Sequence, residues 1–299
     1  MSNYFANVSL NDKTTFRIGG AAAWYAEPDS ADAILAAIGF AREKSLPVLV
    51  IGKGSNLLVS DAGWPGLVIN LSCSFQSLTW NGSEVTAQSG VMLETMVRES
   101  IDRGVSGLEE LSGIPGTVGG AVIMNAGAFS TCIADRFVSA DIVDYESGNA
   151  RTVSREDMRF GYRTSALAAE KTVVVSVRLR LEQGNESALR ITRKEILEKR
   201  RAKQPLDLPN CGSVFKRPPG NYAGALIEKA GLKGYRHGDV SISSKHANFI
   251  VNHGKGTAAE VRRLIVMTQK KVYEQEGILL EPEVIFAGTF DEPLYTPGS

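Results

Sequence analysis

Between residues 172 and 181 the chain alternates apolar and polar positions, with Val173, Val175, Val177, Leu179 and Leu181 on one side and Ser176, Arg178 and Arg180 on the other. This period of two predicts a half-buried strand with its valines and leucines facing a core. Similar patterns over 84–88 and 137–145 predict two more strands, and compact apolar runs over 47–51, 66–71 and 249–251 predict buried ones. Helical spacing takes over elsewhere. Ile34, Leu35, Ile38 and Ala41 form the inner face of a helix capped by Asp29 or Ser30. Leu93, Met96, Val97 and Ile101 do the same in a second helix, supported by Glu94 with Arg98 and Glu99 with Arg103, and stopped at Gly104. A charged, solvated helix over 187–203 ends at Pro205, and a short helix covers 222–230. Thr257 and Glu260 make a capping box ahead of Val261, Leu264, Ile265 and Val272. A last strand over 278–286 is interrupted by Pro282, which suits an edge or a bulge.

Short strands and single helices in this order predict an α+β chain, because the regular strand–helix alternation of a doubly wound sheet is absent. At 299 residues there is room for two or three domains, and Pro205, Pro209, Pro218 and Pro219 mark a junction near 202–208. Lys+Arg and Asp+Glu both number 33, so the balanced charge argues against nucleic acid as the main partner. No apolar run is long enough to cross a bilayer, and residues 1–16 lack the basic flank and apolar core of a signal peptide. A cytoplasmic protein without a membrane span is expected. Cys73, Cys132 and Cys211 are odd in number and scattered, as reduced thiols are. With His237, His246 and His253 all in the last third, no metal site is expected.

Candidate chemistry begins with two glycine clusters. Residues 113–129 contain Gly113, Gly116, Gly119, Gly120 and Gly127, where backbone can approach a ligand closely and successive N–H groups can form a concave anion site. Thr117 stands where it could cap a short helix. A buried, loop-rich connector is an equally good reading. Gly52-Lys53-Gly54-Ser55-Asn56 lies between the 47–51 run and Leu57-Leu58-Val59, the layout of a backbone cradle for a diphosphate. It matches neither the Walker A loop nor the Rossmann fingerprint, and an ordinary tight turn accounts for it as well. Downstream, four polar groups sit in apolar or glycine-rich surroundings: Arg163 after Tyr162, Ser213 and Lys216 within 210–216, and Glu283 in the interrupted terminal strand. Singly, a structural ion pair and a turn serine explain them, and no Gly-x-Ser-x-Gly elbow supports a hydrolase triad.

Together, segments 15–20, 52–56, 113–129, 160–165, 210–218, 244–252 and 281–286 resemble, in this order, those of the UDP-N-acetylenolpyruvoylglucosamine reductase family (UDP-N-acetylmuramate dehydrogenases), flavoenzymes of bacterial peptidoglycan synthesis. The resemblance implies a two-part FAD-binding unit of the vanillyl-alcohol-oxidase or PCMH type over 1–72 and 73–201. A C-terminal α+β substrate-binding domain over 202–299 follows, its last strand returning to the active site. By the family pattern Gly52, Lys53, Gly54, Ser55 and Asn56 hold the FAD pyrophosphate. Ile114, Pro115, Gly116, Thr117, Gly119, Gly120 and Asn125 line the cofactor towards its ring. No histidine precedes His237, so the FAD is expected to be non-covalent.

The implied reaction takes a hydride from NADPH to FAD. From flavin N5 the hydride passes to C3 of the enolpyruvyl group of UDP-N-acetylglucosamine enolpyruvate, giving UDP-N-acetylmuramate. Arg163 matches the residue that stabilises charge spreading into the substrate carboxylate, Ser213 the proton donor to C2, and Glu283 the third catalytic residue. Tyr162, Arg163, Lys216, His246 and Asn248 are the implied substrate contacts. The short interval between Arg163 and Ser213 leaves out the insertion that carries a substrate-covering tyrosine, so the chain resembles the shorter branch of the family. A monomer or weak dimer is expected. Two other readings compete: a related flavin oxidase of a sugar or alcohol, and a nucleotide-binding module without catalysis.

Overall fold

A computed structural model describes residues 4–298, which fall into two compact units. The first comprises Trp24–Lys53 and Gly66–Arg200 with Tyr4 and Phe5; the second comprises Ala6–Ala23, Gly54–Pro65 and residues 201–298. Residues 1–3 of the polar N-terminal segment lie outside the described residues.

The first unit has two cores. In the smaller, helix α1 (Ala31–Glu43) packs Ile34, Ala37, Ile38 and Ala41 against Leu67 and Ile69. Strand Val48–Ile51 runs parallel to the strand bearing those residues, with Val48 opposite Leu67 and Ile51 opposite Asn70. Ser30 is the cap, its Oγ accepting the Ala33 N–H at 3.2 Å. Leu35, expected on the inner face, is exposed instead: the buried stripe follows i, i+3, i+4, i+7 from Ile34, and Leu35 lies a full 100° off its first member.

The larger core lies against a five-stranded antiparallel sheet in the order Ala150–Ser154, Phe137–Asp144, Thr172–Arg180, Glu84–Gln88, Leu78–Asn81. Helices α2 (Leu93–Asp102) and α3 (Val118–Ile123) add Leu93, Met96, Val97, Val118 and Val122 to Val85, Ala87, Val177 and Leu179. The clean alternation expected over 172–181 is broken. Asp141 pairs with Ser176 but Ile142 with Val174, so one extra residue sits on the 172–180 strand. That bulge turns Val173 towards the α1 core, with Val175 packed beside it, while Val174 joins the larger one. The expected i,i+4 pairs on α2 also give way to better partners. Glu94 Oε2 accepts the Gly113 N–H at 2.7 Å and Oε1 pairs with Arg193. Glu99 takes the Trp80 indole N–H at 3.0 Å, and Arg103 lies over that indole ring. Arg193 belongs to α4 (Glu186–Lys203), the charged helix, which is solvated except at Leu189, Ile196 and Arg200.

In the second unit, strands Arg236–His237, Val240–Ile242 and Ile250–Asn252 form an antiparallel sheet. Helices α5 (Ala223–Lys229) and α6 (Ala258–Glu276) pack Leu226, Ile227, Val261, Leu264 and Ile265 on Val240, Ile242 and Ile250, with Phe16, Leu58 and Phe215 completing the core. The capping box forms as expected: Thr257 Oγ1 accepts the Glu260 N–H, and Glu260 Oε2 accepts the Thr257 N–H. The terminal strand is shorter than expected. Only Ile285–Ala287 is a strand, parallel to Leu57–Val59. Pro282 has no N–H to give a ladder, so the residues on either side of it make isolated bonds instead, Lys216 N–H to Glu281 O before it and Glu283 N–H to Val214 O after it. Glu283 therefore precedes the strand instead of lying within it.

Candidate active site

Gly52, the first residue of one glycine cluster, meets the other cluster within the first unit. A Cβ added at Gly52 would lie 2.2 Å from Thr117 Oγ1 and 2.8 Å from its Cγ2, so Gly52 is seated directly against the start of α3. The 113–129 stretch is laid along residues 89–93: Leu93 N–H bonds Gly116 O, Val118 N–H bonds Val91 O, and Gly119 N–H bonds Ser89 O. Gly113 and Gly116 have φ of +75° and +131°, which only glycine adopts without strain. Thr117 occupies the N-cap position of α3 with extended backbone, but its side chain makes no capping bond, and the Val118 and Gly119 amides are already engaged. An anion nest built from those two amides is therefore not formed. The two middle glycines differ. Gly119 is buried, and a Cβ there would meet Ser89 Cβ at 2.7 Å; Gly120 is exposed, with nothing nearer its Cβ position than Thr117 Oγ1 at 3.8 Å.

Downstream, Asn125 is buried with φ +41°; its amide donates to Gly161 O at 2.9 Å and its carbonyl oxygen accepts the Ala134 N–H at 3.1 Å. These bonds tie the glycine stretch to the turn that carries Arg163. Gly161 and Thr164 bridge across Tyr162 and Arg163, and Arg163 sits at the left-handed φ of +55°, a strained conformation for a side chain with a Cβ. Its guanidinium donates to Gly127 O at 3.0 Å and lies over the exposed Tyr162 ring. Asn125, Tyr162 and Arg163 share a cavity of about 450 Å³, with Cys132 and Arg155 also on its wall. Ile114 and Pro115 continue the turn between the two glycines, and Pro115 and Lys53 are exposed.

Arg200 was not singled out by the sequence. It is 9% exposed on α4, with its Cδ 3.0 Å from the Cβ position of Gly113, and burial beside the Arg163 charge lowers its pKa against the pull of Glu94. The signal was the spacing: Arg200 continues the buried positions Leu189 and Ile196 by one turn.

In the second unit, Gly54 (φ +60°) lies against Lys13 and Thr14, and its carbonyl accepts the Thr15 N–H. Ser55 is half-buried beside it. Asn56 donates its amide to Glu283 O at 3.0 Å, and its own carbonyl accepts the Ile285 N–H at 2.9 Å. Glu283 N–H in turn bonds Val214 O at 2.8 Å. Ser213 follows Gly212, whose φ of +77° and bond to Asn210 Oδ1 fix the turn. Ser213 and Glu283, both half-buried, are thus held on adjacent segments, with the buried Cys211 thiol beside them pushed up to about 12 by desolvation. Lys216 is ion-paired with Glu281. Asn248 is buried, and both ends of its amide engage the Phe215 backbone, Oδ1 at 3.0 Å and Nδ2 at 2.8 Å. His246 packs on Phe249 and Gly224, accepts the Asn248 N–H at Nδ1, and is held below its ordinary pKa by burial. Among the described residues no cluster of His, Cys, Asp and Glu could hold a metal ion, and no helix is long and apolar enough to cross a membrane.

A flat cofactor needs backbone it can approach, and the open, side-chain-free face at Gly120 offers it, while Asn125 and Arg163 of the same unit line a cavity of their own. The residues fit FAD.

Residues 22–154 match the family model of an FAD-binding domain, and residues 204–287 match that of the UDP-N-acetylenolpyruvoylglucosamine reductase C-terminal domain. The α+β class and the order of an FAD-binding region before a C-terminal domain are both borne out. The chain is 45% identical to the UDP-N-acetylenolpyruvoylglucosamine reductase of Caldicellulosiruptor bescii over 96% of its length and 92% of the relative. It is 44% identical to that of a Synechococcus strain, covering 97% of this chain and 93% of the relative. The crystal structure of UDP-N-acetylenolpyruvylglucosamine reductase from Thermus caldophilus superposes with a TM-score of 0.81 at 34% identity, covering 96% of this chain and 99% of that one. On this evidence the chain belongs to the UDP-N-acetylenolpyruvoylglucosamine reductase family, FAD-containing oxidoreductases of peptidoglycan synthesis.

Proposed function

We propose that the protein uses NADPH to reduce the enolpyruvyl group of UDP-N-acetylglucosamine enolpyruvate to UDP-N-acetylmuramate. The observation that carries this reading is the bond from Glu283 N–H to Val214 O, which sets a hydroxyl and a carboxyl, Ser213 and Glu283, on neighbouring segments. Bound FAD, held without a covalent link, supplies the hydride for C3.

The chain's own residues handle charge and the proton. Arg163 is permanently cationic and can take the substrate carboxylate with two parallel hydrogen bonds, offsetting the negative charge that develops at C2. Ser213 hands its hydroxyl proton to C2; a hydroxyl is a weak acid, but a carbanion-like enolate is a strong base. Glu283, carrying a proton or acting through water, orients the carboxyl end without like-charge repulsion. Lys216 and Tyr162 contact the sugar nucleotide, while His246 and Asn248 shape the same region. Gly52, Lys53, Gly54, Ser55 and Asn56 hold the FAD pyrophosphate, and Ile114, Pro115, Gly116, Thr117, Gly119, Gly120 and Asn125 line the cofactor. Residues 1–72 and 73–201 make the FAD-binding part, and 202–299 the substrate-binding part. A cytoplasmic monomer or weak dimer completes the reading.

The deciding experiment compares the wild type with Ser213→Ala. Both should lose flavin absorbance on adding NADPH at the same rate. Turnover with the enolpyruvyl sugar nucleotide should fall on the order of 10²–10³-fold in the variant, the worth of one placed donor. Undiminished turnover would remove Ser213 from the chemistry, and a wild type that oxidises NADPH without the sugar nucleotide would favour an oxidase.

A further inference from the structure

A second cavity, about 460 Å³, opens in the second unit on the face of the small sheet turned away from its core. Strand alternation creates that face: Val240, Ile242 and Ile250 point into the core, so Ser241 and its cross-strand partner Val251 point out. Both line the cavity.

Its polar wall is rich in donors. Ser241 Oγ and His253 Nε2 are hydrogen-bonded at 2.9 Å. Ser243 Oγ accepts the N–H groups of Lys245 and His246, at 3.1 and 3.3 Å, which curls the chain and brings Ser244 and Lys245 to the rim. Arg201, at the end of α4, adds a guanidinium. Among the described residues the side chains of Arg201 and Lys245 form no ion pair. Asp207 is the single carboxylate on the lining, so the cavity keeps an excess of positive charge. The lining also has an apolar part, Pro205, Leu206 and Leu208, with Leu206 51% exposed although it is a large aliphatic side chain.

Two unpaired cations with several hydroxyls offer more donors than the two oxygens of a carboxylate can accept, and suit the three free oxygens of a phosphate monoester. The apolar part and the volume call for an organic body attached to it. We propose that this cavity binds a small organic phosphate, the phosphate against Arg201, Lys245 and the serine hydroxyls, and the body against Leu206 and Leu208.

The test titrates the FAD-loaded protein with phenyl phosphate and with inorganic phosphate by calorimetry, at one fixed ionic strength so that general screening cancels. Phenyl phosphate should saturate and bind at least tenfold tighter than inorganic phosphate. The Arg201→Gln/Lys245→Gln double variant should bind phenyl phosphate at least tenfold more weakly, with its melting temperature and FAD content kept. Leu206→Ser should lose the preference for phenyl phosphate over inorganic phosphate. Absence of saturation, or equal affinity in the wild type and the double variant, would overturn the proposal.

Discussion

Gly52 and Thr117 touch where no other residue type would fit: a Cβ on Gly52 would stand 2.2 Å from the Thr117 hydroxyl oxygen and 3.1 Å from its Cβ. The contact joins the turn after the Val48–Ile51 strand to the N-terminal end of α3, two segments that the proposed function assigns to the same cofactor. Gly52→Ala should therefore destabilise the protein by about 1–3 kcal/mol, the usual range for overpacking, and weaken FAD retention. Adding Thr117→Ala removes the two atoms nearest the new methyl and should recover part of both losses. Thermal melts and FAD content of the two single variants and the double one check this. Additive losses would mean that the contact does not limit either property.

The neighbouring glycines of α3 separate fold from cofactor. Gly119 is closed in by Ser89, so Gly119→Val has no space for its side chain and should lower the melting temperature by several degrees even in the FAD-free protein. Gly120 faces open space, so Gly120→Val should fold with an unchanged melting temperature in that form. Its side chain fills the face that a bound flavin nucleotide would approach, and FAD affinity should drop at least tenfold. If Gly120→Val bound FAD normally, the glycine stretch would be a packing connector.

The strands, the helices and the capping box were legible because each rests on local chemistry: alternation, i/i+4 spacing, or Thr257 three residues before Glu260. What escaped depends on partners distant in sequence. The bulge on the 172–180 strand turns Val173 to a different core because the opposing strand lacks a residue there, which no single-strand pattern records. Glu94 leaves Arg98 for Gly113 and Arg193 because those partners arrive through the tertiary fold. Of the proposed site, the glycines and the order of Arg163, Ser213 and Glu283 are what the sequence offers. The Gly52 contact with Thr117 and the burial of Arg200 were not legible in it, since both need the packed chain.

His246 gives a pH dependence with a definite sign. Burial holds its pKa below the ordinary value near 6.5, and as a neutral ring it accepts the Asn248 N–H at Nδ1. The unfolded chain binds the proton more readily than the folded one. Its contribution to stability is therefore complete above about pH 6.5 and is lost as the pH falls through the lower folded value. The wild type should lose more melting temperature between pH 7.5 and pH 5.5 than His246→Gln, which keeps an acceptor and cannot titrate. Parallel losses in the two proteins would show that the imidazole stays outside the acid sensitivity.

Asn248 holds Phe215 as a neighbouring strand would, accepting its N–H and donating to its C=O, while the Asn248 carbonyl accepts the Val214 N–H at 2.9 Å. These three bonds fix the segment that begins at Ser213, so under the proposed function the amide is expected to act on the reaction through the position of that segment. Asn248→Ala strands two buried backbone groups, costing about 1–3 kcal/mol each, and should lower the melting temperature by several degrees. Reduction of the flavin by NADPH should keep its rate, because none of the residues assigned to FAD bonds the Asn248 side chain. Turnover of the sugar nucleotide should fall through kcat as the Ser213 hydroxyl loses its fixed direction, with KM little changed. The opposite split, a raised KM at constant kcat and melting temperature, would identify Asn248 as a direct ligand of the substrate.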